Sequence, residues 1–128
     1  MVAGEDKMES FSEFLKQKSP KLNLRFVANN DLTRANGLMF QKPLEPHEGA
    51  LFVYEREVPA TFWNRNVDFP IEIGFFNSNK NLVDVKELQA HQEENVGCDN
   101  GPFQYAVEAP IGFFKDVKLG TSLNNLIS

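Results

Sequence analysis

Apolar side chains recur at every second residue over short runs in this chain, and turn-forming residues interrupt those runs about every ten residues. Leu22, Leu24 and Phe26 alternate with Asn23 and Arg25; Ile71, Ile73 and Phe75 alternate with Glu72 and Gly74. Phe103, Tyr105 and Val107 alternate with Gln104, Ala106 and Glu108. A period of two is strand geometry, because successive side chains of a strand point to opposite sides. The pattern predicts strands over residues 21–28, 50–54, 61–65, 71–76, 82–87, 103–109 and 121–123, with a charged turn at 55–59. Asn77-Ser78-Asn79-Lys80 marks a hairpin between two of them. Asp31 is expected to cap a helical turn that runs through Asn36 and ends at Gly37. Pro110 is expected to open another, as far as Val117. Ser10 and Glu13 fit a capping box for a short helix over residues 10–18, with Phe11, Phe14 and Leu15 on one stripe and Ser19-Pro20 as its stop. Residues 88–102 read as a long polar loop.

The expected fold is therefore mainly β (β-rich α+β): a compact antiparallel sandwich or barrel of about seven short strands with two or three short helices. Residues 1–20 are expected to form an N-terminal extension with a short helix, and 21–128 a single β domain. The chain carries 12 Phe, two Tyr and one Trp. Phe brings large area with no polar handle, which suits core packing. A net charge of −5, with Lys and Arg scattered singly, disfavours nucleic acid and anionic membrane surfaces as partners. Cys98 is the one cysteine, so no intrachain disulfide can form. The N-terminal residues carry Glu5, Asp6, Glu9 and Glu13 and do not read as a signal peptide, so a cytoplasmic location is expected.

Several separate motifs together resemble the DUF192 (UPF0127) family of small uncharacterised prokaryotic proteins. They are Gly37-Leu38-Met39-Phe40, Gly49-Ala50-Leu51-Phe52-Val53, Phe62-Trp63-Asn64-Arg65-Asn66, Pro70-Ile71-Glu72-Ile73, Tyr105-Ala106-Val107-Glu108 and Gly112. The resemblance covers about residues 22–123. It implies one compact β-rich domain with short helices and implies no reaction. The family usually carries Met-Lys-Asn where Asn64-Arg65-Asn66 stands, Asp where Glu72 stands, and Gly-Met-Leu-Phe where Gly49-Ala50-Leu51-Phe52 stands. Charge is thus kept at positions 65 and 72.

The stretch 60–76 sets Trp63, Arg65, Asn64, Asn66 and Glu72 among large apolar residues, where a polar group is costly unless paired or used. Taking Ile71, Ile73 and Phe75 as the core face, alternation sends Glu72 away from the core. On the same argument Glu108 projects opposite to Phe103, Tyr105 and Val107. Arg65 is then expected to meet Glu72 or Glu108, with Trp63 and Asn66 beside them and Tyr105 nearby. The candidate binding residues are Trp63, Arg65, Asn66, Glu72, Tyr105 and Glu108. The bland alternative is a structural salt bridge that holds a loop.

The expected function is a non-enzymatic module that binds a small polar or carbohydrate-like ligand, acting as a monomer or weak homodimer. One rival is a glycosidase-like hydrolase using Glu72 and Glu108, which needs the two carboxyls about 5–9 Å apart. Another is a structural or interaction protein. No cofactor, catalytic residue or metal site is expected. Cys98 lacks a local activating signature, and His91-Gln92-Glu93 lacks the cysteine pair that a zinc deaminase needs. His47 with Glu45 and Glu48, or His91 with Glu93 and Glu94, reads as solvated loop charge.

Overall fold

The computed structural model describes residues 21–128, so the helix expected over residues 10–18 and the extension over 1–20 lie outside the described residues. The strands are β1 (Asn23–Ala28), β2 (Glu48–Val58), β3 (Thr61–Phe62), β4 (Ile71–Phe76), β5 (Leu82–Leu88), β6 (Val96–Gly97) and β7 (Phe103–Ala109). One α-helix, α1 (Asp31–Asn36), follows β1, and a 3-10 turn spans Leu123–Asn125. Five strands form one sheet in the order β1-β2-β7-β4-β5, and β3 pairs with β6 in a second, two-stranded sheet. The protein is mainly β, as the alternation implies. The large sheet is mixed, however, because β1 runs parallel to β2 while its other pairs are antiparallel. A parallel pair needs a crossover rather than a tight turn, and α1 with the loop after it supplies one.

Both faces of the large sheet are buried. On the first, Ala28, Ala50, Phe52, Ile71, Ile73, Phe75, Phe103 and Ala106 pack with Phe62, Val67 and Phe69 from the β3 region. Phe62, Phe75 and Phe103 meet in tilted and edge-on pairs with centroids 4.7–6.0 Å apart, the geometry the aromatic quadrupole favours. On the second, Leu22, Leu51, Phe76, Leu82, Val107 and Ala109 pack with Phe114, Leu123 and Leu126 from the C-terminal loops. Two-sided burial explains why strict alternation of apolar with polar residues breaks down on the inner strands: β7 reads FQYAVEA, with only Gln104 and Tyr105 half-buried and the rest buried.

Several expected boundaries move for physical reasons. The charged residues Glu55, Arg56 and Glu57 lie inside β2 rather than in a turn. The ladder shifts register between Val53 and Val58, which lets Phe103 pack on the first face although Tyr105 and Val107 serve the second. A shift between Leu24 and Phe26 likewise separates Leu24, on the second face, from Phe26, on the first. Asn30 rather than Asp31 caps α1: its side chain accepts from the Thr33 N–H and the Thr33 hydroxyl accepts in return from the Asn30 N–H. Gly37 ends that helix at φ 46°, as expected. Residues 110–117 form turns rather than a helix, and the strand expected at 121–123 is a single bridge from Ser122 to Asn81 leading into the 3-10 turn.

Gly74 on β4 is required by close packing. A Cβ there would lie 2.5 Å from the ring of Phe114. Gly74→Ala is expected to displace Phe114 and destabilise the fold by about 1–3 kcal/mol, read as a lower urea midpoint. An unchanged midpoint would show that Phe114 yields freely.

Candidate functional site

Glu108 lies on β7, the middle strand, between Ala50 of β2 and Ile73 of β4. Cross-strand partners point to the same face, so Glu108 faces the first core with Ile73 and Ala50. The expectation that it projects away from the core is corrected: it is 4 % exposed. The error came from treating one face as the core, when the sheet has a core on each.

Around the Glu108 carboxyl is a cavity of about 140 Å³, walled by α1 and the residues after it, by Phe52 and Tyr54 of β2, by β3, and by Trp63, Asn64 and Val67. Ala50, the cross-strand neighbour of Glu108, contributes only a methyl group. Burial raises the Glu108 carboxyl to about 8, and among the described residues no side chain or backbone group hydrogen-bonds to it. No sealed side-chain oxygen or nitrogen among the described residues lacks a partner, so the Glu108 oxygens open onto the cavity.

Asn64 is also buried, at 1 % exposed. Its Nδ2 donates to the carbonyls of Phe69 and Gln89, both at 3.0 Å, which ties the loop after β3 to the loop after β5. Both amide hydrogens are spent there, so the group Asn64 can offer a ligand is its carbonyl oxygen. Arg34 reaches back from α1. It donates to the Val53 carbonyl at 2.7 Å and to the Asp31 carboxylate at 2.9 Å, with its guanidinium 4.7 Å from the Tyr54 ring centroid. Burial raises the Tyr54 hydroxyl above its ordinary range, with Arg34 opposing and Glu108 adding to the shift. Trp63, 41 % exposed, stands at the rim with the Arg65 guanidinium 5.5 Å from its ring centroid.

The structure thus joins two of the six sequence candidates, Trp63 and Glu108, at one cavity, and places Arg65 beside Trp63. It separates the others. The expected meeting of Arg65 with Glu72 or Glu108 does not occur: among the described residues Arg65 forms no ion pair. Glu72 points to the second face, where its carboxylate accepts from the N–H groups of Gly112 at 2.8 Å and Phe114 at 2.9 Å. Its role is to hold the loop after β7. Glu72 and Glu108 therefore lie on opposite faces of the sheet, and their carboxyls do not meet at one cavity. Tyr105 also serves the second face, with the Lys80 ammonium 5.6 Å from its ring centroid. Asn66 sits outside the cavity at φ 59°, its carbonyl accepting the Phe40 N–H at 2.9 Å, so it shapes the local backbone. Sequence reasoning missed Tyr54, Asn64 and Arg34. Tyr54 shares parity with Ala50 and Phe52, and Asn64 lies in the stretch already singled out; Arg34 carried no signal.

Among the described residues no group of three or more His, Cys, Asp or Glu could hold a metal ion. Burial pushes the Cys98 thiol up, which disfavours the thiolate a nucleophile needs.

The DUF192 family model, described as an uncharacterised ACR, matches residues 15–124. Two solved structures are similar to this chain. A protein of unknown function from Novosphingobium aromaticivorans is 26 % identical with a TM-score of 0.71, the match covering 77 % of this chain and 73 % of that one. A candidate transcription regulator from Sinorhizobium meliloti is 25 % identical with a TM-score of 0.70, covering 75 % of this chain and 76 % of that one. No curated protein matches.

Two measurements check these assignments. Glu72→Ala is expected to cost about 1–3 kcal/mol, since it leaves two backbone donors unpaired, and to speed hydrogen exchange at Gly112 and Phe114. Unchanged exchange at those amides would contradict the anchoring role. For Glu108, the folded state keeps a proton that the unfolded chain loses from pH 4.5 upward. Its contribution is therefore fully present below pH 4.5 and falls by about 1.4 kcal/mol per pH unit until about pH 8. Urea titrations are expected to show Glu108→Gln gaining on the native chain across that window. Parallel pH curves would mean that the carboxyl is solvated.

Proposed function

The chain belongs to the DUF192 family, described only as uncharacterised, and within that family we propose that it is a small-ligand-binding module rather than an enzyme. The observation that carries this reading is the buried carboxyl of Glu108, which has no partner among the described residues and faces the cavity beneath Trp63. An ionisable group in such a place is destabilising at neutral pH, and sites that retain such groups are candidates for function. The cavity, about 140 Å³, is close to the volume of about 150 Å³ known to admit benzene. Its size supports a ligand that inserts one small ring or a shorter polar group. In this reading Trp63 is the apolar platform at the rim, and the Asn64 carbonyl and the Glu108 carboxyl are the polar contacts within. A carbohydrate-like ligand is accommodated one ring at a time.

A carboxyl raised in a cleft is also what a general acid requires. Hydrolysis by paired carboxylates needs a second one, and none lines the cavity among the described residues. The name of the Sinorhizobium protein suggests transcription regulation for that protein, and such a role exerted through nucleic acid would draw on positive charge. On this chain the net charge of −5 gives that role no electrostatic support.

Trp63 is the one tryptophan, so its fluorescence reports directly on the rim. A panel of monosaccharides, amino sugars, short alcohols and short amines is expected to contain at least one compound that shifts Trp63 emission saturably and raises the melting temperature. Glu108→Gln is expected to weaken that binding at least about tenfold, the loss of one charged or strong hydrogen-bonded contact. If no compound does either, or if binding survives Glu108→Gln unchanged, the cavity is not the site.

A further inference from the structure

Four aromatic side chains line the cavity: Phe52, Tyr54, Phe62 and Trp63. Phe52 and Phe62 meet edge-to-face at 5.2 Å, which fixes the tilt of both rings at the inner wall. The polar groups among them are mostly acceptors. Asn64 has given both amide hydrogens to Phe69 and Gln89. Arg34 is engaged by the Val53 carbonyl and the Asp31 carboxylate. Rings with negative faces, a carbonyl oxygen and an unpaired carboxyl are together complementary to a positively charged hydrogen-bond donor.

We propose that the cavity takes the primary ammonium head of a small organic cation, with Glu108 as its counter-charge and the aromatic rings as its walls. This rests on the reading of the cavity as the ligand site and narrows the class of ligand. A short alkylammonium and an aminated sugar ring both belong to that class. The volume of about 140 Å³ limits what enters to the head and a few attached carbons.

Of the lining residues, Arg34 on α1, Tyr54 on β2 and Glu108 on β7 carry or can acquire charge. Asp31 pairs with Arg34 at 2.9 Å, and Arg65 lies outside against Trp63. Glu108 is therefore the group that changes state when an ammonium arrives. The ligand keeps its proton and the Glu108 carboxyl releases one to solvent, leaving a buried ion pair where a buried neutral acid stood. The overall negative charge of the chain favours the approach of a cation.

The test uses n-propylammonium chloride, with 1-propanol and sodium propionate as probes of the same size and different charge. Binding is read by Trp63 fluorescence and by the carboxyl carbon resonance of Glu108 in 13C-glutamate-labelled protein. Propylammonium is expected to bind at least tenfold more tightly than propanol at pH 7 and to move the Glu108 signal to its ionised position. Its affinity is expected to fall about tenfold per pH unit below pH 7, as protonation competes. Glu108→Gln is expected to abolish both the preference for ammonium and the pH dependence. Propanol or propionate binding as well as propylammonium, with the Glu108 signal unmoved, overturns the cation assignment while leaving a ligand site beneath Trp63. If no probe perturbs Trp63 and no sugar or amino sugar does either, the site itself fails and this inference falls with it.

Discussion

β7 lies between hydrogen-bonded neighbours on both sides and between apolar layers on both faces, so every side chain it carries must be accommodated by the protein. From Ala106 to Ala109 every residue of this strand is buried, so none of these side chains can turn to bulk water. Ala106 and Val107 meet that constraint by size and shape. Glu108 cannot, because a carboxyl carries polar oxygens wherever it points. The structure responds with space: an alanine opposite on β2, a loop held back by Asn64, and a short helix standing off the sheet. The cavity is the counterpart of one polar residue placed on the central strand of the sheet.

The two faces divide the work. The second face is closed by the C-terminal loops, and its carboxylate, Glu72, spends both oxygens on loop amides. The first face is closed by smaller pieces, β3 with its loop and α1, which meet incompletely above Glu108. Two glutamates on neighbouring strands therefore differ in kind. Glu72 organises backbone and has partners at hydrogen-bond distance. Glu108 has none in the described structure, and its neutral form at ordinary pH follows from that isolation.

Much of the strand framework was legible. Residues 71–76 and 103–109 were delimited as β4 and β7 from alternation and flanking turn residues alone. The extent of β2 was not, because Glu55, Arg56 and Glu57 resemble a turn in composition, and only the partner strand makes them strand residues. The site was half legible. Trp63 and Glu108, two of the residues named from the sequence, line one cavity, but placing Arg65 and Glu72 required knowing which side of the sheet each faced. A single-core picture assigns faces by polarity. With a core on each side, polarity no longer says which face a residue occupies, and the hydrogen-bonding register decides. Asn66 shows another limit: asparagine suits the left-handed backbone it adopts at φ 59°, and a residue that shapes a turn is easily taken for one that serves a site.

The cavity walls are not equally firm. Those contributed by β2 and β7 belong to ladders that cannot shift without breaking paired backbone bonds. α1 is different, since none of its six residues is buried, and much of its attachment to the sheet passes through the guanidinium of Arg34. The firm side of the cavity is therefore the β-framework, and the loosely held side is one short turn of chain. The space beside Glu108 is thus bounded on one side by the tether of a single side chain rather than by paired strands.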